Sequence, residues 1–347
     1  MSVHVRPLAA GSQAAWDRFV RATPPGTFFH LAGWARAVES AFGHTTHYAF
    51  TERDGAITGV LPLVRVKTML FGDTLVSNPF CVYGGPLAAD AESEDALIRH
   101  ACDLLKRTRA SALELRYRDP PPASAGTGWT DRPDLYVTFR KAIVADHDSN
   151  MKAIPRKQRA MVRKGMQNGL ISETGRDVVA LHRVYAESVR NLGTPVFSRR
   201  YFRTLMEVFG DDVDVVTILD KGTPLASVMN FYFRDEVLPY YGGGTSAARA
   251  RAGNDFMYWE VMRRAADRGC RLFDFGRSKI GTGAHAFKRN WGFEPAKLHY
   301  RFSLKPGETI PDHNPLNPKY TMFIAAWKRL PLPVANAVGP LIVRGLG

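Results

Sequence analysis

Short runs of alternating apolar and polar residues and longer runs with helical spacing follow one another along this chain in a recurring order. Tyr48–Val64 reads as a strand, a turn and a strand. After it come a Gly-rich strand end, Cys81-Val-Tyr-Gly-Gly-Pro-Leu87, an amphipathic helix over about 93–108 and the strand Ala112–Arg116. The same order returns later. Val213–Phe233 is a strand–turn–strand, Pro239–Thr245 a Gly-rich strand end, about 254–268 a helix and Leu272–Phe275 a strand. The first copy carries a longer insertion around Lys67–Asn78. An internal duplication of this kind predicts two α/β domains with mixed sheets flanked by helices, and excludes all-β and all-helical folds.

The expected division is 1–147, 148–304 and a Pro-rich tail over 305–347. Pro120–Gly128 is a loop by composition. Asp146-His-Asp-Ser-Asn150 leads into the second domain, with Asp148, Ser149 or Asn150 capping the next helix. In the tail, Lys319–Leu330 is a helix with an apolar run, a Trp and flanking cations, and Val334–Gly347 is again apolar. Those features suit either packing on the domains or peripheral contact with an inner-membrane surface.

A length of 347 residues accommodates two cores, and a hydrophobic fraction of 45% is ordinary for globular protein. A net charge of +14 points to polyanionic partners: RNA, phosphorylated carriers or anionic lipid. Cys81, Cys102 and Cys270 lack metal-ligand spacing, and the scattered histidines form no triad order, so zinc and Ser–His–Asp chemistry are not expected. With no signal-like leader and no apolar run of membrane-spanning length, the expected location is cytoplasmic.

The densest chemistry lies in Arg271–Phe293, where the strand Leu-Phe-Asp-Phe-Gly leads through a Gly-rich turn into a helix bearing Phe287-Lys288. Asp274 sits among apolar neighbours and needs a partner, for which Arg277 and Lys279 in the following turn are candidates. Lys288 is the leading candidate to polarise a carbonyl as negative charge develops on its oxygen. Lys152, Arg156, Arg159 and Arg163 follow 4-3-4 spacing, which predicts a cationic stripe on one helix face able to meet phosphates; a solvated face is the competing reading.

Phe287, Lys288, Trp291, Gly292 and Phe293 resemble the FK-x-x-[FW]-G-F signature of FemAB-like aminoacyl- and acyltransferases, which are tandem GNAT-like proteins. The likeness extends over about residues 5–303, and the Pro-punctuated tail is similar to the FemAB-related subgroup of PEP-CTERM/exosortase systems. It implies transfer of an activated aminoacyl or acyl group to an amine on a cell-envelope, peptidoglycan or exopolysaccharide precursor. Lys288 would then contact the donor end and Phe287 would shape the site; Asp274 would orient the acceptor amine or a basic side chain, with a structural salt bridge at the strand end as the competing reading. Tyr83, Tyr241, Asn254, Arg277, Lys279 and Arg289 would line it. Phe28–Val38 resembles the family's Q-s-x-x-W-a opening, with His30 where Gln is usual, which makes Trp34 and Arg36 substrate-side candidates.

The resemblance implies no resident cofactor, metal or DNA; the donor would be aminoacyl-tRNA or acyl-CoA, with tRNA or another phosphorylated substrate as partner. Arg249–Phe256 lacks the R/Q-x-x-G-x-G/A pattern of acetyl-CoA enzymes, which weighs against CoA. No side chain stands out as a general base, so proton removal falls to solvent or substrate. An acyl-CoA N-acyltransferase and a non-catalytic RNA- or membrane-binding adaptor are the alternative readings.

Overall fold

The computed structural model describes residues 2–69, 71–121, 128–310 and 318–346. They form two compact units. One comprises Met1–Tyr136, Lys297–His313 and Arg344–Gly347; the other comprises Val137–Ala296 and Asn314–Val343. The contiguous division at 147/148 and 304/305 differs from these units because each sheet takes a strand from the far side of that boundary. Residues 122–127 of the loop expected at Pro120–Gly128 and residues 311–317 of the Pro-rich Lys305–Pro318 lie outside the described residues.

The first unit contains β1 (His4–Pro7), α1 (Gln13–Ala22), α2 (Gly33–Phe42), β2 (Thr45–Thr46), β3 (Ala49–Arg53), β4 (Ala56–Leu61), β5 (Leu63–Thr68), β6 (Gly72–Ser77), β7 (Leu87–Ala88), α3 (Ala91–Arg107), β8 (Ala112–Tyr117) and β9 (Trp129–Arg132). The second contains β10 (Val137–Ala142), α4 (His147–Ala153), α5 (Arg156–Gln167), β11 (Ile171–Gly175), α6 (Val178–Leu192), α7 (Arg199–Phe209), β12 (Val213–Asp220), β13 (Thr223–Phe233), β14 (Glu236–Gly244), α8 (Ala248–Arg251), α9 (Gly253–Asp267), β15 (Leu272–Ser278), α10 (Gly283–Asn290) and β16 (Pro295–Lys297). The chain then supplies β17 (His299–Leu304) to the first unit, and α11 (Pro318–Arg329) and α12 (Leu332–Val343) to the second.

The main sheets are ordered β2-β5-β6-β8-β17-β9 and β11-β12-β13-β14-β15-β10-β16. Each contains the same local arrangement. An antiparallel pair (β5–β6, β13–β14) is followed by a helix (α3, α9) and a strand (β8, β15) that returns parallel to the pair's second strand. The strand on its other side is antiparallel and comes from elsewhere in the sequence (β17, β10). The duplication is therefore present, but its alignment in the first copy shifts. The supposed insertion at Lys67–Asn78 contains β6, whose Leu75 and Val76 are buried, while Cys81–Leu87 is mostly loop.

In the second unit α9 buries ten of its fifteen residues because it packs on β12–β14 and is also crossed by α5. Gly165 permits that crossing: a Cβ there would stand 2.6 Å from the Phe256 Cβ. Elsewhere, Tyr185 of α6, Tyr201 and Phe202 of α7 and Phe197 of the segment between them pack around Tyr241 of β14, with ring centroids 5.4–6.2 Å from it. The rigid sheet is thereby held between packed helices, and its strand ends can carry a site.

Candidate functional site

β14 and β15 pair only at Glu236–Leu272 and Val237–Phe273, after which the strands part. An opening between parallel strands exposes backbone groups that have no ladder partner, and it lies at the carboxyl ends of both strands. Beyond this point β15 keeps its other neighbour, β10, but Phe275 and Gly276 lie opposite the single residue Phe139. Gly276 has φ +67°, the left-handed conformation that glycine adopts without strain, so the strand bulges here.

The bulge provides the seat for Lys288. Its Nζ donates to the carbonyls of both Gly276 and Arg277, each at 3.0 Å, and lies 5.6 Å from the Phe139 ring centroid. Burial pulls its pKa down to about 7; Asp274 opposes the shift and Arg277 adds to it. A neutral amine making these two donations retains its lone pair, and the ammonium retains one N–H. Lys288 can thus exchange a proton near neutrality.

Asp274 is almost fully buried and serves this bulge. Its Oδ1 accepts the Gly276 N–H at 2.7 Å, with the Thr138 hydroxyl at 3.5 Å, and its Oδ2 lies 3.4 Å from Arg140 Nε. Arg140 also binds Glu236, at the point where the two strands part. Arg140 is not legible as Asp274's partner in the sequence, because their link depends on strand register across 134 residues. Asp274 therefore positions the carbonyls that hold Lys288.

The rest of the FK motif anchors α10. Phe287 packs among Tyr258, Phe275 and Trp291, and Trp291 and Phe293 are fully or almost fully buried. Trp291 Nε1 donates to Asp255 Oδ1 at 3.1 Å, which also accepts from Gln158 of α5 at 2.5 Å. Burial raises the Asp255 pKa, and these two hydrogen bonds oppose the rise. Gly292, at φ +75°, turns the chain where a Cβ would press on Pro155 at 3.0 Å. Asp255 is thus a clamp joining α5, α9 and α10, and does not cap a helix. The residue before α9 is Ala252 at φ +59°, with no side-chain cap, and Asn254 Oδ1 has no hydrogen-bond partner among the described residues.

The carboxyl end of β14 also has a defined environment. Tyr241 is buried, its hydroxyl 2.8 Å from that of Tyr201. Beyond it, the Ser246 N–H and hydroxyl both donate to Glu187 Oε1, at 2.7 and 2.6 Å. A carboxylate therefore occupies a backbone donor in the turn where an acyl-CoA enzyme would accept pyrophosphate, and the additional turn α8 stands before α9. The Glu187 carboxylate disfavours a second anion at these Ser246 donors.

Other expected residues separate from this site. In the first unit Trp34 is fully buried and donates to the Phe28 carbonyl, while Tyr83 is buried against Phe29; both are core residues. Arg36 is exposed on α2. His30 bonds Thr27 and the Gly85 carbonyl, a structural role that accounts for its place in the opening motif. Around Cys81–Leu87, the Tyr300 hydroxyl donates to the Val82 carbonyl and the Gly85 N–H donates to the Arg116 carbonyl, filling the counterpart of the second unit's opening.

In the second unit, Arg277 and Lys279 lie in and just after β15, half-buried, and Arg289 is exposed on α10. The cationic stripe is broken. Lys152 lies on α4, the chain turns at Ile154–Pro155, and only Arg156, Arg159 and Arg163 share α5. Asp146, rather than Asp148, Ser149 or Asn150, caps α4 by accepting the Ser149 N–H. Within α5, Gln158, Val162 and Gly165 face inward, while Arg156, Lys157, Arg163 and Lys164 are exposed and have no ion-pair partner among the described residues. In the tail Trp327 is buried and stacks on Phe323, so it is not a free interfacial anchor. No described helix is long and apolar enough to cross a membrane, and no group of three or more potential metal ligands occurs among the described residues.

Comparison with known proteins agrees with this architecture. Residues 149–289 match the family model of an acetyltransferase (GNAT) domain. The crystal structure of FemX superposes at TM-score 0.70 and 14% identity, covering 92% of this chain and 100% of that one. A tandem GNAT protein from the clavulanic acid biosynthesis pathway matches at TM-score 0.55 and 13% identity, covering 89% of this chain and 100% of that one. L-PGS from Bacillus licheniformis matches at TM-score 0.55 and 12% identity, covering 81% and 93%. No curated protein sequence matches. At these identities the structural likeness establishes fold: tandem GNAT-like α/β units. The matched GNAT domain contains Asp274 and Lys288 and supports an acyltransferase.

Proposed function

We propose that the second unit transfers an aminoacyl or acyl group from an ester donor to an amine, with Lys288 as the proton-exchange group. The observation that carries this reading is the seating of Lys288 Nζ on two adjacent carbonyls beside the strand opening, with a pKa near 7. The donor chain lies in the opening between β14 and β15. The acceptor nitrogen attacks the donor carbonyl carbon, the new C–N bond forms, and the ester C–O bond breaks with its electron pair on the leaving oxygen. The proton lost from nitrogen passes to Lys288 Nζ and from there to that oxygen, so the lysine ends as it began. Asp274, Arg140 and Glu236 keep the bulge in shape and do not touch the reacting atoms.

Aminoacyl-tRNA is the donor this reading favours. Glu187 already takes the Ser246 donors, and the exposed cations of α5 provide a phosphate-binding face joined through Asp255 to the Lys288 helix. The resemblance to FemAB-like enzymes supports the same choice and suggests a cell-envelope or exopolysaccharide amine as acceptor. The test is single-turnover reaction of mixed aminoacyl-tRNAs with envelope-precursor amines, followed by mass spectrometry. Acceptor-dependent loss of the aminoacyl ester supports the proposal. Transfer from acyl-CoA, with every aminoacyl-tRNA inert, would overturn the donor assignment.

A further inference from the structure

The two C-terminal helices leave apolar surface uncovered at one end of α6. Both pack there: Ile324 of α11 fills the space beside Gly193, where a Cβ would lie 2.5 Å away, and Gly339 of α12 lies against Val196. On α12, Ala335, Gly339 and Val343 are buried with i, i+4, i+8 spacing. The opposite stripe, Val334, Val338 and Leu341, is 44%, 39% and 69% exposed and carries no charge. On α11, Met322 is 83% exposed and Phe323, stacked on the buried Trp327, is 41% exposed, while Leu192 at the end of α6 is 69% exposed. Isolated apolar residues are normal on a surface; three adjoining elements presenting them together mark an interaction face.

We infer that this face docks onto an anionic lipid bilayer. Charge decides the occupant. Pro318–Arg344 contains Lys319, Lys328, Arg329 and Arg344 and not one acidic residue. Lys328 and Arg329 are exposed at the end of α11, just before α12, and Arg190 of α6 donates to the Lys328 carbonyl. Apolar side chains at the level of the headgroups, with ammonium and guanidinium groups among the phosphates, are the arrangement of interfacial helices. Such docking is peripheral.

The test uses the full chain in sedimentation with vesicles of phosphatidylcholine alone and of phosphatidylcholine with phosphatidylglycerol. The protein should pellet with the anionic vesicles and be released by added salt. Met322→Glu with Leu341→Glu should lower the partition coefficient at least about tenfold. Lys328→Ser and Arg329→Ser should lower it roughly fivefold each. All four side chains are exposed, so thermal melting should stay unchanged. Failure of the wild-type chain to bind anionic vesicles, or binding by the double glutamate variant as tight as wild type, overturns the inference. So does a lipid-free dimer that Leu341→Glu converts to monomer, which would make the occupant a second copy of the chain.

Discussion

Replacing Lys288 tests the proposed chemistry most directly, because three substitutions separate its possible roles. The amine falls from an ordinary 10.5 to about 7; at about 1.36 kcal/mol per pH unit, holding it in this environment costs on the order of 4–5 kcal/mol, less where water reaches it. Placement at such a cost is what a group working near neutral pH requires. Lys288→Ala should lower single-turnover rate by on the order of 10²–10³, with substrate affinity changed less. Wild-type rate should fall as pH drops through about 7, where the amine becomes ammonium, and the Ala variant should lose that limb. Lys288→Arg should be as slow as Ala, since a guanidinium stays charged and takes no proton.

A stability measurement provides a second readout for the same residue. The folded pKa lies below the unfolded one, so the folded state binds fewer protons between about 7 and about 10. Stability should rise with pH through that window, and the cost should be fully present below it. Lys288→Met should remove the slope. An Arg variant that retains much of the activity would show that charge, rather than proton transfer, is what Lys288 supplies. A near-normal Ala variant would remove Lys288 from the mechanism.

The remaining expectations follow from its surroundings. Asp274→Asn removes the charge that holds the Lys288 pKa up, so the acid limb of the pH–rate profile should move to lower pH; an unmoved limb would show that the two groups do not communicate. Calorimetry with CoA should show no saturable low-micromolar binding, because Glu187 holds the Ser246 donors; tight binding would reverse the donor assignment. Arg156→Glu with Arg163→Glu should weaken tRNA binding and flatten its dependence on salt, whereas unchanged filter binding would make α5 a solvated face. Trp291→Phe leaves Asp255 without one of its donors and should cost roughly 1–3 kcal/mol in urea denaturation.

Local pattern determined much of this protein. Runs of alternating and helically spaced residues located α3, β8, β12, β13, α9 and β15 close to their observed bounds, because burial of one face imposes the period. The repeated order indicated tandem α/β units, and the FK motif led to the Lys288 helix. Tertiary structure decided what pattern cannot encode. Local apolar spacing contains no pairing information, so the exchange of β10 and β17 between the two halves, and the presence of β6 within an apparent insertion, appear only when strands choose partners. Arg140 becomes Asp274's neighbour through register, and Pro155 breaks a cationic spacing that looked continuous. The chemistry of Lys288 is likewise a property of the fold. The residue type specifies an amine, but desolvation by surrounding packing, with the Gly276 bulge turning two carbonyls toward it, sets its proton affinity near neutral pH.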